Sequence, residues 1–364
     1  MLSTGNKIRV LVAAEKGNVI YDNLVSILKK EFIVKKWYIE DGSKRPKSTL
    51  LKWASSIKKW TTAMKTFSPQ KVIICGGALI CLWIWVFLSK VTKNKVEIII
   101  FRYDIEHFWT PIIDCKDKIS HLIAIKLEKY CMVNSNKIIH KGLDNELEYL
   151  PFYNKIKDKP RYLFREFLNK KSAQKFKEKV KLSKKDGSIH LVYVGGMRFK
   201  DCLWTESFWK FYPKITSQKI HLHIYSPQPK DIVSKLKDAE GKDPYLHYKG
   251  YIEHHELRNK LPKYDYGIHL FGNGLSKKVQ LYERFAFSNK NYDYLAARIP
   301  IITSKNLIAV SEFVSKNRLG FCIDYDDLKQ IKNMIKKDNS NYNDSINKFI
   351  KNFSADKLIS FIKN

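Results

Sequence analysis

The chain has 364 residues, of which 44% are hydrophobic, and its formal net charge is +31. This length is enough for two domains that each bury a core, and the hydrophobic share excludes a disordered chain. The charge favours an anionic partner, and nucleic acid, an anionic membrane surface and phosphorylated substrates all qualify.

The positive charge is concentrated in the first half of the chain. Residues 1–184 carry 37 basic and 17 acidic side chains, whereas the remaining residues carry 30 and 19. Part of this excess also fits the bias of a lysine-rich and asparagine-rich proteome. The charge by itself therefore does not select one partner.

Cysteine usage and the start of the chain bear on location. The six cysteines show neither a C-x-x-C pair nor a histidine at zinc-binding spacing, which indicates reduced, mostly buried thiols. They are Cys75, Cys81, Cys115, Cys131, Cys202 and Cys322. Because no basic and then apolar leader opens the sequence, we expect a cytoplasmic protein.

Residues 1–150 alternate short β-branched runs with longer helical patterns. This alternation predicts a parallel sheet with helices on both faces. The predicted strands are 7–14, 33–39, 72–75, 96–101 and 137–140, and the predicted helices are 18–31, 78–91 and 117–132. The order is Rossmann-like without a G-x-G-x-x-G sequence, which argues against NAD or FAD.

Residues 72–89 carry no charge, and eighteen such residues reach the length of a membrane-spanning candidate. A second interpretation is a buried strand, a turn at Gly76 and Gly77, and a helix packed on the sheet. We favour the second interpretation because paired glycines are typical of a strand–turn–helix unit and not of the middle of a membrane span.

Residues 50–67 predict a helix whose apolar side includes Trp53 and Trp60 and whose remaining surface is rich in lysine. Such a basic helix with tryptophans suits the surface of an anionic membrane. The alternative is an ordinary helix whose aromatic stripe packs in the core. Both interpretations stay open at this point.

The second half repeats the α/β alternation after a lysine-dense stretch. We assign residues 1–150 to an N-terminal domain, 151–187 to a linker, 188–340 to a C-terminal domain and 341–364 to a closing helical segment. The predicted strands of the second domain are 189–194, 220–225, 246–248, 266–270, 301–303 and 321–323.

A glycine turn follows the first strand of the second domain. Gly195 and Gly196 can bring backbone N–H groups close to a phosphate because no Cβ intervenes. Arg198 and Lys200 are the next cations along the chain. An ordinary tight turn is the alternative interpretation.

A second candidate site lies at the predicted start of a helix near residue 290. Ser288, Lys290 and Asp293 fall within six residues, where a helix N-terminus favours an anion. The carboxylate of Asp293 accepts hydrogen bonds only, which suits a diol, although an acidic residue in a first turn is also a good cap.

Polar residues also follow the fourth strand of the first domain. Open α/β sheets place ligands at the carboxyl ends of their strands, and Arg102, Asp104, Glu106 and His107 come at that position. Asp104 or His107 could accept a proton from an acceptor hydroxyl. The alternative is that these are only polar loop residues.

No metal site is predicted. His254 and His255 are adjacent, but no carboxylate or third histidine stands at a convincing spacing. Residues 324–326 spell D-x-D after a late strand, where we interpret them as a loop.

Three segments resemble the C-terminal domain of GT-B glycosyltransferases, in the order and spacing of that family. They read LVYVGGMR from residue 191, YLHYKGYIEHHELRNKLPKYDYGIHL from 245, and SNKNYDYLAARIPIITS from 288. The resemblance is to the type known as glycosyltransferase family 4 and covers most of residues 188–335. It implies two Rossmann-like α/β domains that face each other across a cleft.

The same resemblance implies roles for the candidate residues. It assigns Arg198 and Lys200 to the donor diphosphate, although Lys200 comes early. Asp293 matches the carboxylate that binds the ribose hydroxyls, and the backbone of Tyr251 and Ile252 matches the loop that reads the base. The sequence departs from the family where many retaining members carry a first glutamate, because Phe285 stands there. Glu283 is nearby but out of register, so the stereochemical outcome stays open.

We therefore expect a hexosyltransferase that moves a sugar from a UDP-sugar or GDP-sugar to a glycan or lipid-linked acceptor in surface polysaccharide or glycoconjugate synthesis, without an obligatory metal. It would be cytoplasmic, or peripheral at the inner face of the cell membrane. One alternative is a sugar-nucleotide epimerase of the same fold. A nucleic-acid-binding protein is another, but no such module is visible.

Overall fold

A computed structural model describes residues 7–14, 19–38, 49–76, 79–92, 95–102, 105–109, 118–165, 173, 178–195, 203–270, 277–338 and 340–364. The chain forms two compact units. The first contains residues 1–167 together with 354–364, and the second contains residues 168–353.

The first unit is built on a six-stranded parallel sheet in the order β2-β1-β3-β4-β5-β6. Its strands are β1 (Arg9–Ala14), β2 (Ile33–Tyr38), β3 (Lys71–Cys75), β4 (Glu97–Phe101), β5 (Lys137–His140) and β6 (Arg161–Leu163). The central strands are runs of Val and Ile that are buried from end to end, as in sheets covered on both faces.

Helices connect these strands. They are α1 (Val19–Leu28), α2 (Thr49–Phe67), α3 (Leu79–Val91), α4 (Glu106–Trp109) and α5 (Lys118–Asn134). Strand β3 and helix α3 confirm the favoured interpretation of the uncharged run, and Gly76 has a φ of +99° directly after β3. Gly77 lies outside the described residues. Within the described residues, no helix is long and apolar enough to cross a membrane.

Helix α2 directs part of its aromatic face into the core. Trp60 is 2% exposed and packs edge-to-face on Trp85 of α3, with 5.1 Å between the ring centroids. Met64 and Phe67 pack against the same core. Of the two interpretations left open for this helix, the core-packed one holds for Trp60, whose ring completes the core beneath the sheet. The side chain of Trp53 lies outside the described residues.

The end of the chain belongs to the first unit. The last helix, residues 356–363, is amphipathic, and its Leu358 and Ile362 are fully buried. Phe361 contacts Tyr162 of β6 with ring centroids 5.3 Å apart, and the backbone oxygen of Lys363 accepts a hydrogen bond from Lys71 Nζ at 3.0 Å.

The second unit has its own six-stranded parallel sheet, in the order β12-β11-β10-β7-β8-β9. Its strands are β7 (His190–Val194), β8 (His221–Tyr225), β9 (Leu246–Gly250), β10 (Tyr266–His269), β11 (Ile301–Ser304) and β12 (Gly320–Ile323). Apolar residues of the sheet and of its flanking helices form one buried cluster.

The helices of the second unit complete the α/β alternation. They are α6 (Ser183–Asp186), α7 (Leu203–Thr216), α8 (Lys230–Lys242), α9 (His254–Lys260), α10 (Lys277–Phe285), α11 (Lys290–Ala296), α12 (Ile308–Asn317), α13 (Ile331–Lys337) and α14 (Tyr342–Asn352). The helix at 356–363 is α15 (Asp356–Lys363).

The predicted fold class is confirmed, since both units are parallel sheets flanked by helices. One strand of the first unit is not predicted from the sequence. Strand β6 follows Pro160 and pairs with β5, inside the segment assigned to a linker. The closing helical segment is two helices, because the chain is extended at Phe353 between α14 and α15.

Candidate functional site

The glycine turn after β7 lies where the sequence predicts it. Gly195 has a φ of +118°, a backbone conformation that side chains with L configuration rarely adopt. Its N–H donates to the backbone oxygen of Tyr225, and its own oxygen accepts from Ser226 Oγ at 2.5 Å. These bonds fix the turn against the end of β8. Gly196, Arg198 and Lys200 lie outside the described residues.

Helix α11 is positioned on the sheet by a buried tyrosine. The hydroxyl of Tyr294 accepts a hydrogen bond from the backbone N–H of Val194 at 3.0 Å and donates to the backbone oxygen of Ile268 at 3.1 Å. A Cβ at Gly267 would come within 2.3 Å of the Tyr294 ring. Glycine at that position therefore makes room for the ring that joins α11 to β7 and β10.

A second buried contact fixes the start of α11. His269 Nδ1, at the end of β10, lies 3.0 Å from Oδ1 of Asn291, and both side chains have no exposed surface. Thr303 of β11 donates to the backbone oxygen of His269 at 3.1 Å. The first turn of α11 is consequently held at the carboxyl ends of β10 and β11.

Lys290 and the glycine turn come together. A Cβ placed on Gly195 would lie 3.7 Å from Cε and 3.9 Å from Nζ of Lys290. The same ammonium group lies 4.1 Å from the ring centroid of Tyr193, on the strand that leads into the turn. A cation over an aromatic ring is attracted by the ring face.

Burial changes the acid–base behaviour of this lysine. Lys290 is 7% exposed, and desolvation lowers its pKa to about 7 because water no longer stabilises the charged form. A phosphate group beside Nζ would favour the charged form. The residue is therefore suited to anion binding at the glycine turn.

Asp293 lies one helical turn beyond Lys290 and is 8% exposed. Its Oδ1 is 3.8 Å from Nε of Arg258 on α9. Arg258 is not predicted from the sequence, because nothing in the local pattern of α9 indicates a partner 35 positions away. Lys290 and Asp293 thus present a cation and a carboxylate from one short helix.

The remaining predicted donor-site residues, Tyr251, Ile252 and Ser288, also belong to the second unit. Tyr251 follows Gly250 at the end of β9, is 60% exposed, and donates its hydroxyl to Glu253 Oε1 at 3.1 Å. Ile252 is partly buried, and so is Ser288, whose backbone oxygen accepts from the N–H of Asn291. Glu283 of α10 is 4% exposed and accepts a hydrogen bond from Asn306 at 2.9 Å.

In the first unit, the carboxyl end of β4 carries a buried ion pair. Arg102 Nε donates to Glu128 Oε1 of α5 at 2.8 Å, and its Nη1 donates to the backbone oxygen of Gly76 at 2.6 Å. The other oxygen of Glu128 accepts from the backbone N–H of His107 at 3.2 Å. The ion pair of Arg102 and Glu128 therefore fixes the position of α4. Glu128 is not predicted as a site residue from the sequence.

His107 is partly buried beside this ion pair, and its ring lies edge-on to Phe152 at 6.2 Å between centroids. Burial lowers its pKa below the usual value for histidine, against the opposing effect of Glu128. Among the described residues, Nδ1 of His107 is buried without a hydrogen-bond partner. Asp104 lies outside the described residues, as does the side chain of Glu106.

A further buried pair lies at the end of the neighbouring strand β5. Nδ1 of His140 is 2.9 Å from Glu146 Oε2, and the N–H of Gly142 donates to the same oxygen at 2.7 Å. This pair is not predicted from the sequence. Polar side chains therefore lie at the carboxyl ends of both β4 and β5, where open α/β sheets bind ligands.

Two parallel α/β units with these strand orders define the GT-B fold, and comparison with solved structures agrees. A glycosyltransferase from Rickettsia africae superposes with a TM-score of 0.65. Its sequence is 11% identical, over 99% of this chain and 100% of that one. An alpha-glucosyltransferase in complex with UDP-glucose and DNA containing an abasic site has a TM-score of 0.63 and 11% identity over 98% and 100%.

The same fold includes another enzyme class. UDP-GlcNAc 2-epimerase from Neisseria meningitidis, bound to UDP-GlcNAc, has a TM-score of 0.56 and 12% identity over 98% of this chain and 100% of that one. At such identities the likeness establishes the fold and nothing finer.

A family model adds to the fold. Residues 207–358 match the model described as Glucosyltransferase 3-like, C-terminal domain. The chain thus has the GT-B fold and resembles GT-B glycosyltransferases, as its motifs predict. No curated protein matches the sequence.

Proposed function

We propose that the protein is a glycosyltransferase that takes a sugar from a nucleotide-diphosphate donor. The observation that carries this proposal is the position of Lys290, a buried lysine whose ammonium group lies beside the Gly195 turn. The described neighbours of its ammonium group include this glycine turn and the aromatic ring of Tyr193. A diphosphate bound by the backbone N–H groups of the turn would lie beside this cation.

The proposed chemistry is stabilisation of the leaving group. When the bond between the anomeric carbon and the diphosphate breaks, negative charge develops on the diphosphate oxygens. Lys290 and the N–H groups of the turn would stabilise that charge, with Arg198 and Lys200 in the roles that the family resemblance assigns. Asp293, oriented beside Arg258, would accept hydrogen bonds from the ribose hydroxyls.

The donor would be a UDP-sugar or a GDP-sugar, and the sugar a hexose. Tyr251 and Ile252 follow Gly250, whose φ of +69° bends the chain at the end of β9. Their backbone would contact the base, as in the family that the motifs resemble. The resemblance gives no reason to expect an obligatory metal at this site.

The acceptor would be a glycan or a lipid-linked sugar. His107 is the described residue of the first unit best suited to take the acceptor proton, because its lowered pKa keeps the ring neutral near pH 7. Asp104 keeps the same proposed role from its place after β4. Synthesis of a surface polysaccharide or glycoconjugate would need such a reaction.

We also propose a peripheral contact with an anionic membrane. Helices α3 and α5 expose large apolar side chains, with Phe87 41%, Val91 58%, Leu122 56% and Ile123 51% exposed. Residues 1–184 carry most of the excess positive charge. Exposed apolar groups next to basic residues favour an interfacial location. Co-sedimentation with vesicles that contain anionic lipid, but not with neutral vesicles, tests this contact.

The enzymatic proposal is tested by incubating the purified protein with UDP-, GDP- and ADP-sugars, with and without glycan or lipid-linked acceptors. A transferase releases nucleoside diphosphate faster when acceptor is present, and the acceptor gains the mass of one sugar. An epimerase instead yields an isomerised sugar nucleotide without any acceptor. If neither product forms from any of these donors, the proposal is contradicted.

A further inference from the structure

Four histidines lie on one face of the sheet in the second unit, at the ends of the strands opposite Gly195. His190 begins β7, His221 begins β8, and His247 is the second residue of β9. In the strand register, His190 pairs with His221, and His223 pairs with His247. Directly paired residues, and residues two apart in one strand, share a face of the sheet.

Hydrogen bonds order these rings. His190 Nδ1 lies 2.9 Å from His223 Nε2, and His221 Nδ1 lies 2.8 Å from His247 Nε2. The rings of His190 and His221 are stacked, with centroids 4.5 Å apart and planes within 7°. In both His190 and His221, Nδ1 therefore contacts another histidine, and Nε2 is the ring nitrogen that can bind a different partner.

A carboxylate completes the cluster. Oδ2 of Asp186, the last residue of α6, lies 2.9 Å from His190 Nε2. The other oxygen of Asp186 accepts the backbone N–H of Ser188 at 2.9 Å, which holds the carboxylate in place. One ligand atom from each of Asp186, His190 and His221 lies within 4.8 Å of the other two.

We propose that Asp186, His190 and His221 bind a divalent transition-metal ion, and that His223 and His247 orient the two ligand imidazoles. Imidazole nitrogen with one carboxylate oxygen is a ligand set that suits Zn²⁺ and its first-row neighbours. Metal-bound histidines usually hydrogen-bond through the second ring nitrogen, and both imidazoles do so here.

The geometry needs only small movements to close around an ion. With metal–ligand bonds of about 2.0–2.2 Å, two ligands of a tetrahedral site lie roughly 3.3–3.6 Å apart. Asp186 is exposed, so an ion can enter from solvent, whereas His190 is buried and fixed by its neighbours. Three protein ligands leave one position for water.

This site is separate from the proposed donor site. His190 and Gly195 stand at opposite ends of β7, and at about 3.3 Å per residue they are roughly 16 Å apart. A bound ion would connect the end of α6, at Asp186, to the start of strand β8, at His221. We therefore expect the ion to stabilise the second unit without taking part in sugar transfer.

The test uses the full chain without a histidine tag, stripped with chelator. Zn²⁺ is titrated by calorimetry, and Co²⁺ is followed by visible absorption, because tetrahedral Co²⁺ with nitrogen ligands has intense bands. We expect one Zn²⁺ per chain, tetrahedral Co²⁺ spectra, and a higher Tm with Zn²⁺. The absence of binding at one ion per chain would overturn the proposal.

Conservative variants locate the ion. Asp186→Asn and His221→Gln should each weaken Zn²⁺ binding at least tenfold while keeping the metal-free Tm and the thermal response to nucleotide. A double variant of the other histidine pair, His254→Ala with His255→Ala, should bind Zn²⁺ as the parent chain does. Unchanged affinity in the first two variants, or loss only in the double variant, would overturn the assignment.

Discussion

Gly195 and Lys290 are neighbours in space, although 95 positions separate them in the chain, since a Cβ on Gly195 would lie 3.9 Å from the Lys290 ammonium nitrogen. Tyr294 explains why they meet, because its hydroxyl joins α11 to the backbone of Val194, directly before the turn. The account of donor binding depends on this pair.

Replacing Gly195 with alanine should weaken both the fold and nucleotide binding. The φ of +118° disfavours any L side chain by about 1–2 kcal/mol, and the new methyl group would narrow the space beside Lys290. We expect a lower urea midpoint and at least tenfold weaker binding of nucleoside diphosphate.

Gly187→Ala is the matched control for that substitution. Gly187 also has a positive φ, +74°, but a Cβ there meets nothing within 4 Å. It should lose a similar amount of stability and keep its affinity for nucleotide. Equal affinity in both variants would show that the Gly195 turn does not bind the diphosphate.

Nucleotide affinity should depend on pH through Lys290. Its pKa is lowered to about 7 by burial, so in the free protein the amine is mostly neutral above pH 7. A bound diphosphate favours the ammonium form and raises this pKa, so binding takes up a proton. Affinity for UDP should therefore fall as pH rises from 7 to 9, by at most about tenfold per unit.

Calorimetry in buffers of different ionisation enthalpy measures that proton uptake directly. The phosphate groups of UDP are already ionised above pH 7, because their last pKa is about 6. In Lys290→Met, the affinity for UDP should vary less with pH than it does in the parent chain. A parent chain whose UDP affinity is constant between pH 7 and 9 would contradict the charge change at Lys290.

Asp293→Asn should weaken binding of the nucleoside part of the donor and leave binding of the phosphates unchanged. We expect UDP binding to weaken about tenfold, because an amide is a poorer acceptor for a ribose diol and leaves Arg258 beside it without a carboxylate. Inhibition by inorganic pyrophosphate should change little. A similar loss for UDP and pyrophosphate would argue that Asp293 acts on the phosphate site.

His107→Gln should lower the rate of sugar transfer by about 10²-fold or more if the ring accepts the acceptor proton. The variant should keep its Tm and its affinity for UDP, since the backbone N–H of residue 107 still bonds Glu128. In the parent chain the rate should fall at acid pH, as the imidazole becomes protonated. Equal transfer rates in the parent chain and the variant would show that His107 does not accept the proton of the acceptor hydroxyl.

Much of the fold is predictable from the sequence, because buried parallel strands consist of short runs of Val and Ile between turns. Strand β5 begins and ends where the pattern predicts, at Lys137 and His140. Strand β6 is missed because its three residues, RYL, have no apolar run of their own and depend on pairing with β5.

The site is only partly predictable for a related reason. Gly195 and Lys290 are visible because each stands at a strand or helix end with a recognisable motif. Arg258 is not, because its contact with Asp293 depends on how α9 and α11 pack. The histidine cluster is also hidden, since His190, His221 and His247 belong to three strands and only the register places them together.

The most direct test of the account compares UDP with uridine by calorimetry at pH 7, in the parent chain and in Lys290→Met. Lys316→Met, which replaces an exposed lysine of α12, is the matched control. The account predicts that the parent chain and the control bind UDP far more tightly than uridine, and that Lys290→Met loses at least about tenfold of that preference. An equal preference for UDP in all three proteins would contradict a diphosphate site at Gly195 and Lys290.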